Sequence, residues 1–415
     1  MNLAEQLKEQ ALTEARRQAA REDGLAALRR EGLAALERTD FPGRKTEAWK
    51  YTSLRALEDG HLSALAPARE LEAPADFGGH RLVFINGRFN EALSQLPDEA
   101  GLEVIRLDGS SEAAPGASTE FTTPFAHLNA AALEDGLMLR VAANTAVETP
   151  VHVCFVSSAD SPATSHTRLH LELGEASSLD LIEHYSGDGP ALTNAVTELH
   201  AGPASRLRHY RLQSEQTESL HIGSLLLVAN RDSRVESYQL MQGSRLRRND
   251  VRAILAESGA ELDMRGIFIG RGKSHTDNQV CVEHRVPHCQ SHQLYKGLAG
   301  DEARLVFNGR IHIHAGARQS SADLTNKNLL LSRGAEVDTK PELEIYNDDV
   351  QCSHGTTVGQ MDHDALFYLR SRGVDEKTAQ RMLGLGFVNE LLQALPHEGI
   401  AEWARPWLGQ SLEQQ

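Results

Sequence analysis

One phrase recurs along the middle of the chain at a nearly fixed interval. Strand-like runs follow turns of small and polar residues. GEASSL ends at Leu179, GPASRL at Leu207, NRDSRV at Val235 and SGAEL at Leu262, with first steps of 28, 28 and 27 residues. GDEARL, ending at Leu305, and SRGAEV, ending at Val337, carry the phrase further. Self-similarity at one period marks a repeat architecture. Repeated strands without helices between them predict a solenoid of stacked β-coils, each burying its inner apolar row against its neighbours. The competing arrangement is an all-β sandwich, which would show more two-residue hairpin turns. Between Leu137 and Gly359 the only Asp-Gly or Asn-Gly doublets are Asp188-Gly189 and Asn308-Gly309.

The strand-like runs are HTRLHLEL (166–173), SLDLIEHY (178–185), RLRHYRL (206–212), VESYQL (235–240), ELDMRGIFIG (261–270), RLVFNGRIHIH (304–314) and EVDTKPELEIY (336–346). Their apolar residues alternate, as a strand requires. Outside this middle the period changes. Leu3, Leu7 and Ala11, then Leu25 with Leu28 and Leu33 with Leu36, predict helix on helix, broken near Gly24 and Gly32. FPGRKTEAWKYTSL (41–54) reads as a loop pinned onto a neighbouring surface by Trp49 and Tyr51. Residues 66–118 hold two short apolar runs, LVFI (82–85) and LEVIRL (102–107), among Pro, Gly and acidic residues. After Asp362, which caps HDALFYLRSRG, a second helix capped by Asp375 carries Phe387, Leu391 and Leu395 up to Pro396. That pair suits either a cap for the solenoid end or a docking platform. The expected divisions are a helical region at 1–65, a mixed region and linker at 66–136, the β-solenoid at 137–361 and a helical region at 362–415.

Composition narrows the function. Lys and Arg total 42 against 58 Asp and Glu, a net charge of −16, which repels nucleic acid and anionic lipid. Cys154, Cys281, Cys289 and Cys352 form no CxxC pair and suit a reducing cytosol rather than a disulfide framework. The opening MNLAEQLKEQALTEARRQ lacks an apolar signal region, and no run is long and apolar enough to span a membrane, so a cytoplasmic protein is expected. Walker A, G-x-S-x-G and H-E-x-x-H motifs are absent.

Two groups carry candidate chemistry. Near the C-terminus, YNDDVQCSHG sets Cys352 and His354 two residues apart at the end of an acidic strand. Residues i and i+2 of a strand share a face. Thiolate and imidazole suit soft or borderline metals, yet two ligands do not complete a site. The second group, CVEHRVPHCQSH, holds Cys281, His284, His288, Cys289 and His292. Its spacing fits no common zinc pattern, so a strand turn dotted with histidines is the simpler reading. His312 and His314 alternate with Ile311 and Ile313 and form either an outward polar ladder or an internal stack.

The run YNDDVQCSHGTTVGQMDHDALFYLRSRGV resembles the C-terminal hallmark of the SufB/SufD family, and FPGRKTEAWKYTSL resembles the N-terminal motif of its SufD branch. CSHG-x-TVG is the SufD form, with Thr356 where Ala is frequent. The resemblance spans essentially the whole chain. It implies a mainly β fold with α-helical ends around a right-handed parallel β-helix. It implies a non-catalytic scaffold that pairs with SufB through the β-helix ends and docks the SufC ATPase through helices from about Asp362 to Leu395. Together these would assemble nascent iron–sulfur clusters. His354 matches the family's interface histidine, facing a SufB cysteine, and Cys352 stands beside it. Any cluster or iron would be held transiently at that interface and not stably by the isolated chain. A homodimer is the alternative pairing. The rival functions are a carbohydrate-active β-helix enzyme using Glu342, Glu344, Asp348 and Asp349, and a purely structural partner with no metal ligand.

Overall fold

The computed structural model describes residues 2–43, 45–57, 62, 75–111, 114–158 and 160–413. Part of the expected mixed region, residues 66–74, lies outside the described residues. Successive strands alternate between two sheets, one of ten strands and one of nine, and nearly all pairing is parallel. Each coil therefore gives one strand to each sheet, which makes the core a parallel β-solenoid. Leu179, Leu207, Val235 and Leu262 are direct partners in successive coils of the ten-stranded sheet. The recurring phrase is a coil period in three dimensions.

The corner that precedes these strands explains the phrase. Ala176, Ala204 and Asp232 each have φ between 53° and 56°, and Gly259 has φ of 80°. Only Gly adopts that left-handed region without penalty, so each coil carries a strained or Gly residue here. The backbone N–H of Ala176 donates to Pro203, that of Ala204 to Arg231 and that of Asp232 to Ser258, so each corner is held by the next. Ser177, Ser205 and Ser233 turn their hydroxyls back to the corner carbonyls at 2.7–2.8 Å. The phrases before Leu305 and Val337 belong to the opposite corner, and these two residues pair in the nine-stranded sheet.

The lumen is packed by the inner rows, among them Leu181, Leu207, Leu225, Phe268, Phe307 and Leu324. Part of it is polar. Glu183 accepts from Tyr185, Thr197 and His209, with Arg211 Nε at 3.6 Å. Glu215 meets His221 Nδ1 at 2.7 Å and Arg247 Nη1 at 2.9 Å. Burial alone would raise the Glu183 carboxyl, but Arg211 and His209 outweigh it and bring the value down to about 2. Buried charges of this kind persist because both partners are present.

Helices cover the outside of both sheets. Helices α1 (Leu3–Ala19), α2 (Ala26–Arg38) and α3 (Pro124–Ala132) form one group on the nine-stranded sheet. Gly24 lies at the α1–α2 break, as expected. Gly32, expected as a second break, is instead inside α2. A Cβ there would meet the Ala131 backbone nitrogen at 2.6 Å, so this glycine lets α2 and α3 approach. Phe41 and Trp49 pack on Phe125, and Arg248 stacks on Trp49 at 3.9 Å. The 41–54 segment is thus pinned by the buried Phe41 and Trp49, while Tyr51, expected as the second anchor, is half-buried with the Arg304 guanidinium 5.8 Å from its ring. The run at 82–85 lies in strand His80–Ile85, which joins the ten-stranded sheet, and the run at 102–107 gives strand Leu102–Arg106, which joins the nine-stranded one.

The C-terminal region has three helices rather than the expected pair: α4 (His363–Ser371), α5 (Glu376–Gln393) and α6 (Glu398–Glu413). Asp362 and Asp375 accept from backbone N–H groups at the starts of α4 and α5, and Gly373 closes α4 with φ of 89°. Val388, Leu391, Ile400, Ala404 and Leu408 pack on Tyr210, Leu212, Ile267 and Ile269, the outward row of the ten-stranded sheet. Helix α4 buries none of its residues.

Candidate functional site at the open end of the solenoid

The last strands of the two sheets, Glu336–Ile345 and Val350–Gln360, each have one neighbour only. No helix or loop among the described residues buries them. The solenoid thus ends on two unpaired strand edges, which present free N–H and C=O groups.

Cys352 pairs with Ala322 and His354 with Leu324, both fully buried inner-row residues. Cys352 and His354 therefore sit on the lumen row of the final coil. Cys352 is half-buried against the lumen core, while His354 is exposed because no further coil covers it. The sequence places this pair on one face, and the structure agrees. Burial pushes the Cys352 thiol up, with a smaller push from Asp323. At neutral pH it stays a thiol until a metal or a base draws the proton.

Around the pair the end is mixed in character. Val337, Thr339, Pro341 and Leu343 form the facing inner row, and Thr339 Oγ1 donates across the lumen to Asn326 Oδ1 at 2.9 Å. Asn326 and Asn328 bond each other at 2.6 Å. Pro341 withholds a donor from the edge. Ile345, Tyr346 and Val358 are 41%, 64% and 44% exposed, an apolar rim on an otherwise charged chain. Two borderline-metal ligands, an apolar rim and two open strand edges meet at one place.

The other candidates separate. Cys281 faces outward and accepts from Arg310 Nε at 3.3 Å. His284 turns inward to Ser291 Oγ at 2.8 Å. His288 takes a corner position with φ of 63°, Cys289 is buried behind it, and His292 faces outward to Asp323 at 3.0 Å. The strand-and-turn reading of this group holds. His312 and His314 stack at 4.1 Å as an outward ladder against Glu344 and Glu283. Glu342 and Glu344 also point outward, paired with Lys340 and Arg310, and Asp348 and Asp349 lie on an exposed turn. These carboxylates line no cleft between them.

Two ligand groups escaped the sequence reading. His152, Cys154 and His184 converge, as do His170, Glu198 and His200. Each group joins a pair two residues apart on one strand, His152 with Cys154 or Glu198 with His200, to a third member on the neighbouring coil, so no local motif announces the complete group.

Comparison with known proteins gives the chain a family. Residues 155–387 match the family model described as the SUF system FeS cluster assembly SufBD core domain. The chain is 32% identical over 384 residues to the iron–sulfur cluster assembly protein SufD of Escherichia coli (strain K12), covering 90% of each chain. It is 29% identical to a SufBD family protein of Synechocystis, over 86% of this chain and 84% of that one. Identity to SufD of Bacillus subtilis (strain 168) is also 29%, over 66% of this chain and 63% of that one. The repeat, the C-terminal motif and these similarities converge: the chain belongs to the SufB/SufD family of iron–sulfur cluster assembly proteins, on its SufD side.

Proposed function

We propose that this chain is a non-catalytic scaffold subunit of a cytoplasmic SufBCD complex. Its open solenoid end pairs with SufB, and its C-terminal helices dock the SufC ATPase. His354, and secondarily Cys352, ligate iron or a nascent cluster at the shared interface. The observation that carries this reading is the final coil, where both side chains occupy the lumen row and the strand edges are unpaired. An iron–sulfur cluster takes four protein ligands, commonly thiolates. A single chain offering two at an edge completes such a site only with a second subunit. A shared, incomplete shell also suits a scaffold that must release its product.

The pairing is tested by placing charge on the edge. Ile345→Lys and Val358→Lys alter rim side chains that are over 40% exposed, so the isolated fold should persist. Co-purification with SufB from a co-expression strain is expected to be lost in the double variant. Undiminished co-purification would refute pairing through this end, and unchanged self-association of the isolated double variant would argue against the homodimer as well.

A further inference from the structure

Val151, Val153 and Phe155 face the lumen, so His152 and Cys154 on the same strand face outward. Cys154 is the direct partner of His184 on the next coil. Sγ of Cys154 lies 3.2 Å from Nε2 of His152, and one ligand atom from each of the three residues falls within 4.8 Å of the others. The two imidazoles stack at 5.7 Å and 14°. Phe77 lies against both rings, and Trp403 of α6 meets His184 edge-on at 5.6 Å. All three side chains are buried under this aromatic cover.

A buried Cys–His hydrogen bond would account for His152 and Cys154 alone. It gives no role to His184, whose Nε2 meets Ser214 Oγ at 3.0 Å while Nδ1 has no hydrogen-bond partner among the described residues. One nitrogen held by a neighbour and one spare lone pair is how a metal-ligating histidine is arranged. Burial keeps both imidazoles neutral: it holds His152 well below its usual range, with His184 and Arg81 adding to the effect, and brings His184 to about 4. Burial pushes the Cys154 thiol well up, with Arg81 opposing and Asp76 adding, so the ion itself must draw off the proton; Arg81 and His397 also act on His152.

We propose that His152, Cys154 and His184 form a binding site for a divalent transition-metal ion of the zinc class. Two imidazoles and a thiolate match the preference of such ions, with a fourth position left for water. Binding replaces the Cys154 S–H proton, so one proton leaves to solvent per ion and no electron moves. The site ties the first two full coils together beneath α6. It lies at the opposite end of the solenoid from Cys352 and His354 and is independent of their role.

Cobalt(II) is the probe, because a bound thiolate gives a charge-transfer absorption that imidazole and carboxylate sites lack. The full chain carrying Cys352→Ala and His354→Ala removes the open-end ligands. It is expected to bind one cobalt with that absorption and to release it to excess zinc. Adding Cys154→Ser should abolish the band and weaken cobalt binding roughly ten-fold or more, since even outer-shell losses reach that size. His184→Gln should weaken binding similarly while keeping the thiolate band, which covers the case in which the serine variant does not fold. No thiolate band in the Cys352→Ala/His354→Ala chain, or an unaltered band after Cys154→Ser, would overturn the site.

Discussion

At the scale of single residues, burial decides what each histidine does. His354 stays in solvent on a lumen row because the coils stop beneath it. His166 is half-buried and His284 buried, and desolvation depresses each to about 4. An unfolded histidine titrates near 6.5. As pH falls from about 6.5 toward 4, the unfolded chain takes up protons that the folded chain refuses, so stability drops with acid. Glu183, brought down to about 2, extends the loss: its stabilisation is present above the unfolded carboxylate range and fades as pH falls toward 2. Urea unfolding across pH 7 to 4 should therefore show a steady decline, on the order of 1–3 kcal/mol for each buried histidine. In His284→Gln that decline should be visibly shallower. An equal slope in the variant would show that His284 does not titrate between its folded and unfolded values.

At the scale of elements, the seven alternating runs all became strands because one of their faces keeps polar residues. Strands such as Ala191–Ala201 and Leu220–Ala229 are buried on both faces, between lumen and helices, and so lose the period of two that a sequence reading needs. Helix α6 was hidden for another reason. Pro406 lies within it and Trp403 and Trp407 stack on each other, which reads as punctuation and aromatics rather than helix. The C-terminal helices also have unequal roles. Helices α5 and α6 seal the ten-stranded sheet, so truncation from Asp362 would uncover its apolar row and confound any docking assay. Helix α4 leaves Phe367 74% and Tyr368 55% exposed on a stable fold. The double variant Phe367→Ala/Tyr368→Ala should keep the thermal unfolding midpoint within a few degrees, as surface changes do. It should lose most capture of the SufC ATPase in a pull-down. Full capture would remove α4 from the docking surface.

At the scale of the whole molecule, a solenoid must either cover its ends or use them. The first coil is covered by the antiparallel strand Leu102–Arg106 on one sheet and by the short strand Arg88–Phe89 on the other. The last coil is covered by nothing among the described residues. Legibility follows the same divide. The coil period and the Cys352–His354 pair were readable because they are local in sequence, whereas the open end and the His152–Cys154–His184 group exist only once coils stack. The central claim is that the open end is half of a metal-binding interface, with His354 its principal ligand from this side. Its most direct test is the iron and acid-labile sulfide content of the co-expressed complex purified without oxygen. His354→Ala is expected to leave the complex assembled while its cluster content falls severalfold, with Cys352→Ala giving a smaller fall. An intact His354→Ala complex with undiminished iron and sulfide would contradict the claim.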